Sequence, residues 1–178
     1  QAIKFHTYSD KRTEPVCVHF GLCGGCKWQY MQYDAQLFYK QNEVQQNLVR
    51  IGHLDIENTI PILGSKKIYL YRNKMEYSFS DSRWLTQEEI ADTETTIDRR
   101  ACGFHKPGMW DKIVDIKQCH LQEEPSNTIR NSIKQFAIDN GLSFFNPRQQ
   151  TGLLRTLLIR NTSIGEIMVV IQFAEDDK

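Results

Sequence analysis

The sequence lacks any apolar stretch long enough to cross a membrane. None of its apolar runs approaches the ~20 residues that a transmembrane helix needs. The amino-terminal stretch QAIKFHTYSDKRTEP also lacks the basic and then apolar pattern of a secretory signal. Net charge is zero, with 22 basic and 22 acidic residues, so any affinity for a polyanion must come from a local patch. These absences favour a cytoplasmic protein with no membrane partner.

Cysteine is scarce, but the few cysteines present are clustered. Of the five, Cys17, Cys23 and Cys26 fall within ten residues in the form C-x5-C-x2-C, and Cys119 is a distant fourth. Thiols clustered in this way in a cytoplasmic protein are more often metal ligands or redox groups than disulfides. The cysteines therefore point to a metal site.

The spacing of these thiols leaves two metal sites open. Three close thiols and one remote thiol suit an iron–sulfur cluster, and the spacing is nearest to that of plant-type two-iron centres. Zinc remains the alternative, although zinc sites usually contain two C-x2-C pairs and this sequence has one. Gly24 and Gly25 would let the loop turn tightly and direct N–H groups at the sulfurs. Phe20, Leu22 and Trp28 would keep water away from the metal.

Cys102 is not counted among these ligands. It lies in a strand-like run, where a cysteine is usually a small buried apolar residue. Arg99, Arg100 and His105 are near in sequence and could lower its pKa. The strand pattern outweighs that possibility, so the sequence supplies no catalytic residue.

Apolar periodicity predicts two main helices. The first is expected to begin at a capping Asp34 and to end at Gly52. Its apolar face would hold Leu37, Val44, Leu48 and Ile51. The second is expected to begin at Pro125–Ser126 and to end at Gly141. Its apolar face would hold Ile129, Ile133 and Phe136.

The remaining segments predict strands and turns. Residues 74–80 alternate, with Met75, Tyr77 and Phe79 on one buried face. Residues 101–116 form a hairpin that turns at 106–108, and residues 153–173 form a second hairpin in the middle of the sheet. Residues 81–100 are predicted to be a loop. The fold class is α+β, with a mixed or antiparallel sheet, hairpins and two main helices, preceded by a cysteine-rich, cluster-binding loop.

Four stretches of the sequence, taken in order, resemble one known family. They are CVHFGLCGGCKWQYMQYDAQLFYKQNEV, YRNKMEYSF, GFHKPGMWDKIVDIKQCHL and LLRTLLIRNTSIGEIMVVI. The family is the RumA/TrmA group of 5-methyluridine RNA methyltransferases, and the resemblance runs from about Tyr8 to Phe173. It implies a [4Fe-4S] cluster bound by Cys17, Cys23, Cys26 and Cys119, in place of two irons. It also implies 23S ribosomal RNA as partner ahead of tRNA, because the tRNA branch generally lacks these cysteines.

The resemblance further implies a domain order. Family members have an RNA-binding TRAM domain, then this region, then a Rossmann-like domain that binds S-adenosylmethionine. Residues 1–12 would be the last TRAM strand, 13–30 the iron–sulfur loop, and 31–178 the central α+β RNA-binding domain closed by Cys119. The family's cysteine nucleophile, which adds to uracil C6, belongs to the Rossmann-like domain, and this sequence has no glycine-rich methyl-donor turn. We therefore expect a fragment of a monomeric methyltransferase that is inactive alone.

Several residues are candidates for holding RNA. Arg72, Asn73 and Lys74 match the YRNK stretch of the family and could bind phosphates or a base edge. The other cationic and aromatic candidates are His105, Lys106, Arg155, Arg160, Lys27, Trp28, Tyr69, Tyr71 and Trp110. The alternative function is a stand-alone RNA-binding module that carries zinc or an iron–sulfur cluster and has no catalysis.

Overall fold

The computed structural model describes residues 4–56, 59–92, 94 and 96–176. The chain divides into two compact units, and each is described by itself. The N-terminal unit comprises Gln1–Val18 and Trp28–Ile68, and the sheet unit comprises His19–Lys27 and Tyr69–Lys178. None of the helices in the described residues combines the length and the apolar character that a bilayer span needs.

The N-terminal unit is built on helix α1, Tyr33–Arg50, so the first predicted helix is confirmed. The predicted cap is wrong, because Gln32 occupies the N-cap position and makes no side-chain capping bond. Asp34 lies instead in the first turn, where its carboxylate complements the helix dipole. Residues 1–3 of the predicted TRAM strand lie outside the described residues, and Arg12 forms an isolated bridge with Met31.

The predicted apolar face of α1 is largely exposed. Val44 is 58% and Ile51 75% exposed, and Ala35 is the buried residue of this helix. The segment after the helix contacts it through polar groups. Gln41 Oε1 accepts from the Ile62 N–H at 2.8 Å. Helical spacing therefore identified the helix but not the side that is covered.

The sheet unit contains five described strands and two helices. The strands are β1 Lys74–Ser80, β2 Ala101–His105, β3 Ile113–Asp115, β4 Leu154–Asn161 and β5 Ile167–Phe173. They form one antiparallel sheet in the order β3-β2-β1-β4-β5. The helices are α2 Gln87–Ala91 and α3 Ser126–Asp139. The predicted α+β class and both predicted hairpins are confirmed.

One face of the sheet carries the core. Met75, Tyr77 and Phe79 on β1 are at most 3% exposed, as their alternation predicts. Leu157 and Ile159 on the neighbouring β4 belong to the same buried cluster. Because alternate residues point to opposite faces, the residues between them form a second face, which is called the open face below.

The second hairpin lies at the edge of the sheet, so its predicted central position is wrong. β4 pairs with both β1 and β5, but β5 is the last strand in the order. Met168, Val170 and Phe173 on β5 are 45% to 53% exposed. A run of β-prone residues suits an edge strand as well as a central one, because propensity does not specify the partner.

The second main helix, α3, is confirmed, with Pro125 at its N-cap. Gly141 follows it with φ +66, a left-handed conformation that glycine adopts without strain. Phe136 is 62% exposed, so its assignment to the inner face is wrong. The inner face instead buries Ala137 and the polar residues Asn127 and Arg130.

The predicted loop 81–100 contains one short helix, α2. Thr86 caps it through a reciprocal pair of bonds with Glu89: the Glu89 N–H donates to Thr86 Oγ1, and the Thr86 N–H donates to Glu89 Oε2. The Thr-x-x-Glu spacing is a capping box, which is visible in the sequence. Because the segment is polar and acidic, it was predicted to be a loop, and α2 was missed.

Replacing Phe79 by alanine should lower the free energy of unfolding by about 3–5 kcal/mol. Its ring is 1% exposed and meets Phe144 edge-on at 5.4 Å between centroids. Phe136→Ala removes the same atoms from an exposed site and should change stability by less than ~0.5 kcal/mol. Urea unfolding followed by circular dichroism measures both, and equal losses would contradict this assignment of the core.

Candidate functional site

Three of the four predicted ligand cysteines belong to the sheet unit. Cys119 is 8% exposed and lies within its core, and Cys23 and Cys26 are partly buried against that same core. Cys17 lies in the N-terminal unit, where its N–H donates to Gln29 Oε1 at 3.2 Å. All five cysteines of the chain are within the described residues, and none of them forms a disulfide.

The two glycines of the cysteine loop have distinct structural roles. The Gly25 N–H donates to Cys23 Sγ at 3.3 Å, which is the kind of N–H to sulfur contact predicted for this loop. A Cβ on Gly24 would lie 3.1 Å from the carbonyl oxygen of His105, at the end of β2. The absence of a side chain at Gly24 therefore lets the loop approach the β2–β3 hairpin closely.

His19 anchors the start of this loop and was not predicted from the sequence. Its carbonyl accepts from the N–H groups of Leu22 and Cys23, at 3.1 and 2.9 Å. Its Nε2 accepts from the Lys117 N–H at 3.1 Å, two residues before Cys119. Burial lowers the pKa of His19, which favours the neutral imidazole that can accept this bond.

A buried polar network fixes the segment that contains Cys119, and sequence reasoning missed it too. Asn127 Oδ1 accepts from the Cys119 N–H at 2.7 Å, and Asn127 Nδ2 donates to the Cys119 carbonyl at 3.1 Å. Arg130 donates to Asn127 Oδ1 at 3.0 Å and to the Lys117 carbonyl at 2.8 Å. Asn127 and Arg130 are polar residues, a type that is usually exposed, so their burial could not be predicted from residue type.

The cysteines are suitable metal ligands by chemical type, but among the described residues their positions do not form a metal site. Thiols are ligands for both zinc and iron–sulfur clusters. Arg130 is 1% exposed and its Nε has no hydrogen-bond partner, so a buried cation lies one side chain away from Cys119. Across the part of the chain that the structure describes, however, no three His, Cys, Asp or Glu side chains are arranged to hold a metal ion.

Cys102 is a core residue, as its place in a strand predicted. It is 1% exposed, and burial raises its pKa to about 12, so the thiol stays neutral. Its N–H donates to Asp115 Oδ1 at 2.9 Å. A neutral, enclosed thiol is a poor nucleophile, so the geometry gives no reason to nominate it.

Two predicted cations meet on the open face of the sheet. Lys74 on β1 lies directly opposite Arg160 on β4, and both are exposed. Their strand neighbours Met75 and Ile159 point into the core, so the two cations point away from it. Like charges at opposed positions destabilise a sheet. This pair therefore suits a surface that binds an anion.

Arg72 and Asn73 precede β1 and are exposed. The Arg72 N–H donates to the Leu121 carbonyl at 2.8 Å, and the Asn73 carbonyl accepts from the Asn161 N–H at 3.1 Å. The backbone is therefore fixed on both sides while the side chains remain accessible. Their predicted role in binding RNA stays a prediction.

A cavity of about 250 Å³ lies on the open face and brings together three of the other candidates. His105, Trp110 and Arg155 line it. All three are exposed, with Trp110 at 64%. Lys106 does not line the cavity. Its Nζ lies 3.5 Å from the Gly21 carbonyl oxygen and 5.0 Å from the centre of the Trp84 ring.

The remaining candidates are spread over both units. Trp28 in the N-terminal unit is half-buried with Lys40 Nζ 5.3 Å from its ring centre, and Lys27 is exposed. In the sheet unit, Tyr69 is half-buried beside His120, whereas Tyr71 is 55% exposed. Tyr71 is thus the more accessible of these two rings.

The chain is similar to several bacterial proteins. It is 47% identical over 171 residues to an uncharacterized RNA methyltransferase of Bacteroides thetaiotaomicron, a match that covers 96% of this chain and 38% of the relative. It is 44% identical to one of Porphyromonas gingivalis, covering 98% of this chain and 39% of the relative. The chain thus spans less than two-fifths of the length of these relatives. No protein-family model matches it.

Among solved structures, the chain is similar to the tRNA (uracil-54, C5)-methyltransferase of Pyrococcus abyssi in complex with S-adenosyl-L-homocysteine. The TM-score is 0.66 at 26% identity, and the match covers 98% of this chain and 35% of that one. Together with the bacterial relatives, this likeness supports an RNA methyltransferase family.

Replacing Asn127 by alanine should loosen the segment around Cys119. The substitution leaves a buried N–H and a buried carbonyl without partners, which should lower the free energy of unfolding by about 1–3 kcal/mol. Exchange of the Cys119 amide hydrogen should accelerate. Asn140→Ala is the matched control, because exposed Asn140 lies at the end of the same helix and bonds the Phe136 carbonyl at 2.9 Å, outside this network. Equal acceleration in both variants would contradict the role given to Asn127.

Proposed function

We propose that this chain is the RNA-binding central region of an S-adenosylmethionine-dependent RNA uracil-C5 methyltransferase. The observation that carries the proposal is the similarity across nearly the whole chain to about a third of a longer uracil-C5 methyltransferase structure, at TM-score 0.66. In the longer protein, the methyl donor and the reacting cysteine would belong to another region. The present residues would bind and orient RNA.

The open face supports this role. Lys74 and Arg160 form a like-charge pair there, and Arg155 and His105 line a cavity on the same face. Proteins place such cations on phosphates, and they place exposed rings such as Trp110 against unstacked bases. The chain as a whole is neutral, so this local patch supplies the attraction that overall charge does not.

We further propose that Cys17, Cys23, Cys26 and Cys119 are the ligands of a [4Fe-4S] cluster in the protein as made in the cell. The support is the C-x5-C-x2-C spacing and the buried cation Arg130 next to the Cys119 segment, which would stabilise thiolates. When bound, such a cluster supplies a covalent link between distant parts of the chain, which shortens the loops that folding must close. Methyl transfer to uracil needs no electron transfer, so a structural role is the simpler one.

The substrate we propose is 23S ribosomal RNA, in a cytoplasmic, monomeric enzyme. The four cysteines favour it through their resemblance to the ribosomal RNA branch. The solved structural neighbour acts on tRNA, so tRNA is the substrate to compare first. The second candidate function is an RNA-binding module that carries zinc or an iron–sulfur cluster and has no catalysis.

The metal content of the protein tests the cluster. Purified without oxygen, the chain should hold about four irons and a similar amount of sulfide, with the broad absorbance of an iron–sulfur cluster. Cys23→Ala should abolish the bound iron, whereas Cys102→Ala should retain it, because the buried Cys102 is not among the proposed ligands. A colourless protein with one zinc would favour the module.

Methylation tests the enzyme. A protein of the relatives' full length that contains this sequence should transfer a methyl group from S-adenosylmethionine to uracil C5, with 23S ribosomal RNA modified faster than tRNA. The present chain alone should bind RNA and transfer none. Mass spectrometry of nuclease-digested RNA measures the 5-methyluridine formed. Preferential methylation of tRNA would overturn the proposal that 23S ribosomal RNA is the substrate. No methylation of either RNA would overturn the proposal that the protein is a methyltransferase.

A further inference from the structure

We propose that the cavity on the open face of the sheet binds one unstacked base of single-stranded RNA, with the adjoining phosphate held by Arg155 and His105. The inference rests on the proposed function for its ligand. It adds the place on the molecule where a base of that RNA is held.

The size and floor of the cavity suit a single base. Its volume, about 250 Å³, falls just below the ~300–1,000 Å³ of typical small-molecule sites, so a base fits and a large cofactor does not. Ser78 on β1 and Thr156 on β4 are paired across the sheet and line the cavity from the open face. Both are half-buried. Their hydroxyls can donate to or accept from the edge of a base.

Trp110 provides a stacking surface that is held in place. The Arg148 guanidinium lies 5.7 Å from the centre of its ring. Arg148 is itself fixed by Asp111, which is 6% exposed and accepts from its Nε at 2.7 Å and from its terminal nitrogen at 2.6 Å. These bonds hold the pKa of Asp111 below its ordinary value, so the pair stays charged. Trp110 is 64% exposed with Arg148 against its ring, and Asp111 also lines the cavity, so the ring is held where it can stack on a base.

Another part of the cavity lining includes the cation Arg155. Phe145 and Pro147 line this side, and the Arg155 guanidinium lies 5.0 Å from the centre of the Phe145 ring. The Phe145 carbonyl accepts from the Asp81 N–H at 3.2 Å, which ties this wall to the end of β1. Arg155 is exposed, so its N–H groups remain available for a phosphate.

The charge beyond the cavity indicates a polymer as the ligand. Lys74 and Arg160 lie on the same face, about 13 Å along β1 from Ser78, with the exposed carboxylate of Glu76 between Lys74 and Ser78. A free nucleotide bound in the cavity would not reach that pair. An extended single strand of a few nucleotides would reach both, with one base in the cavity and later phosphates at the cations.

Anisotropy of a labelled single-stranded oligoribonucleotide tests the stacking role, with the full chain at fixed low salt. Trp110→Ala should weaken binding about 5- to 100-fold, because one base loses its stacking partner. Trp110→Phe should restore most of the affinity, since it keeps an aromatic face. Phe136→Ala, which removes an exposed ring on α3, should bind like the parent chain.

A second pair of variants tests the cation. Arg155→Gln should weaken binding and reduce its salt dependence by about one phosphate contact, whereas Arg99→Gln removes an exposed charge outside the cavity and should do less. Inorganic phosphate and uridine monophosphate serve as competitors. If both displace the oligonucleotide at the same concentration, the cavity binds only an anion and the base-binding proposal is overturned.

The outcomes separate this inference from the proposed function. Unchanged affinity in Trp110→Ala, or no binding of single-stranded RNA by the chain, overturns the cavity proposal even if the longer enzyme methylates RNA. Loss of affinity with rescue by phenylalanine supports the cavity even if methylation fails. Thermal unfolding of each variant identifies any loss that comes from misfolding, and Trp110→Phe then decides the question.

Discussion

The arrangement of the sheet unit depends on the contacts of one buried group, the guanidinium of Arg130. It is 1% exposed, lies 4.9 Å from the centre of the Tyr77 ring, and donates to the Lys117 carbonyl. A buried charge is costly unless its donors are satisfied. Helix α3, strand β1 and the segment after β3 must therefore stay packed around the Arg130 guanidinium. The oxygens that receive its bonds belong to Asn127, Asn131 and Lys117, all of them neutral acceptors.

The segment fixed by Arg130 also contacts the cysteine loop. The Lys117 carbonyl is fixed by Arg130 while the Lys117 N–H donates to His19, which lies between Cys17 and Cys23 in the chain. Asn127, on α3 like Arg130, accepts a hydrogen bond from the Cys119 N–H. The peptide that precedes Cys119 is therefore held from both sides before any metal binds. A cluster in this region would stabilise a segment that is already positioned by neutral hydrogen bonds.

Elements with strict periodicity could be predicted from the sequence, and elements defined by long-range contacts could not. The alternation of Met75, Tyr77 and Phe79 predicted β1 and its buried face, because a strand has only two faces. A helix can turn any side inward, and Phe136 shows that the apolar residue is not always the buried one. The burial of Arg130 depends on the Lys117 carbonyl and the Tyr77 ring, which are distant in sequence, so no local pattern encodes it.

The candidate site divides in the same way. The sequence could single out His105, Arg155 and Trp110 by charge and aromatic character, but their assembly around one cavity depends on the antiparallel pairing of β1 with both β2 and β4. The bracing of Trp110 through Arg148 requires Asp111, which composition would class with the solvated acidic residues. Residue type thus identified the participants, and topology supplied the geometry.

The β2–β3 hairpin contacts both the cysteine loop and the cavity of the sheet unit. Its His105 lines the cavity by its side chain, while its carbonyl lies against Gly24 of the cysteine loop. The same hairpin leads through β3 to Lys117 and Cys119. Because folded interiors are close-packed, a displacement of the cysteine loop would be transmitted to this hairpin and so to the wall of the cavity. Packing alone would thus link Cys23 and Cys26 to the cavity, without any change of redox state, which agrees with the structural role proposed above for a cluster.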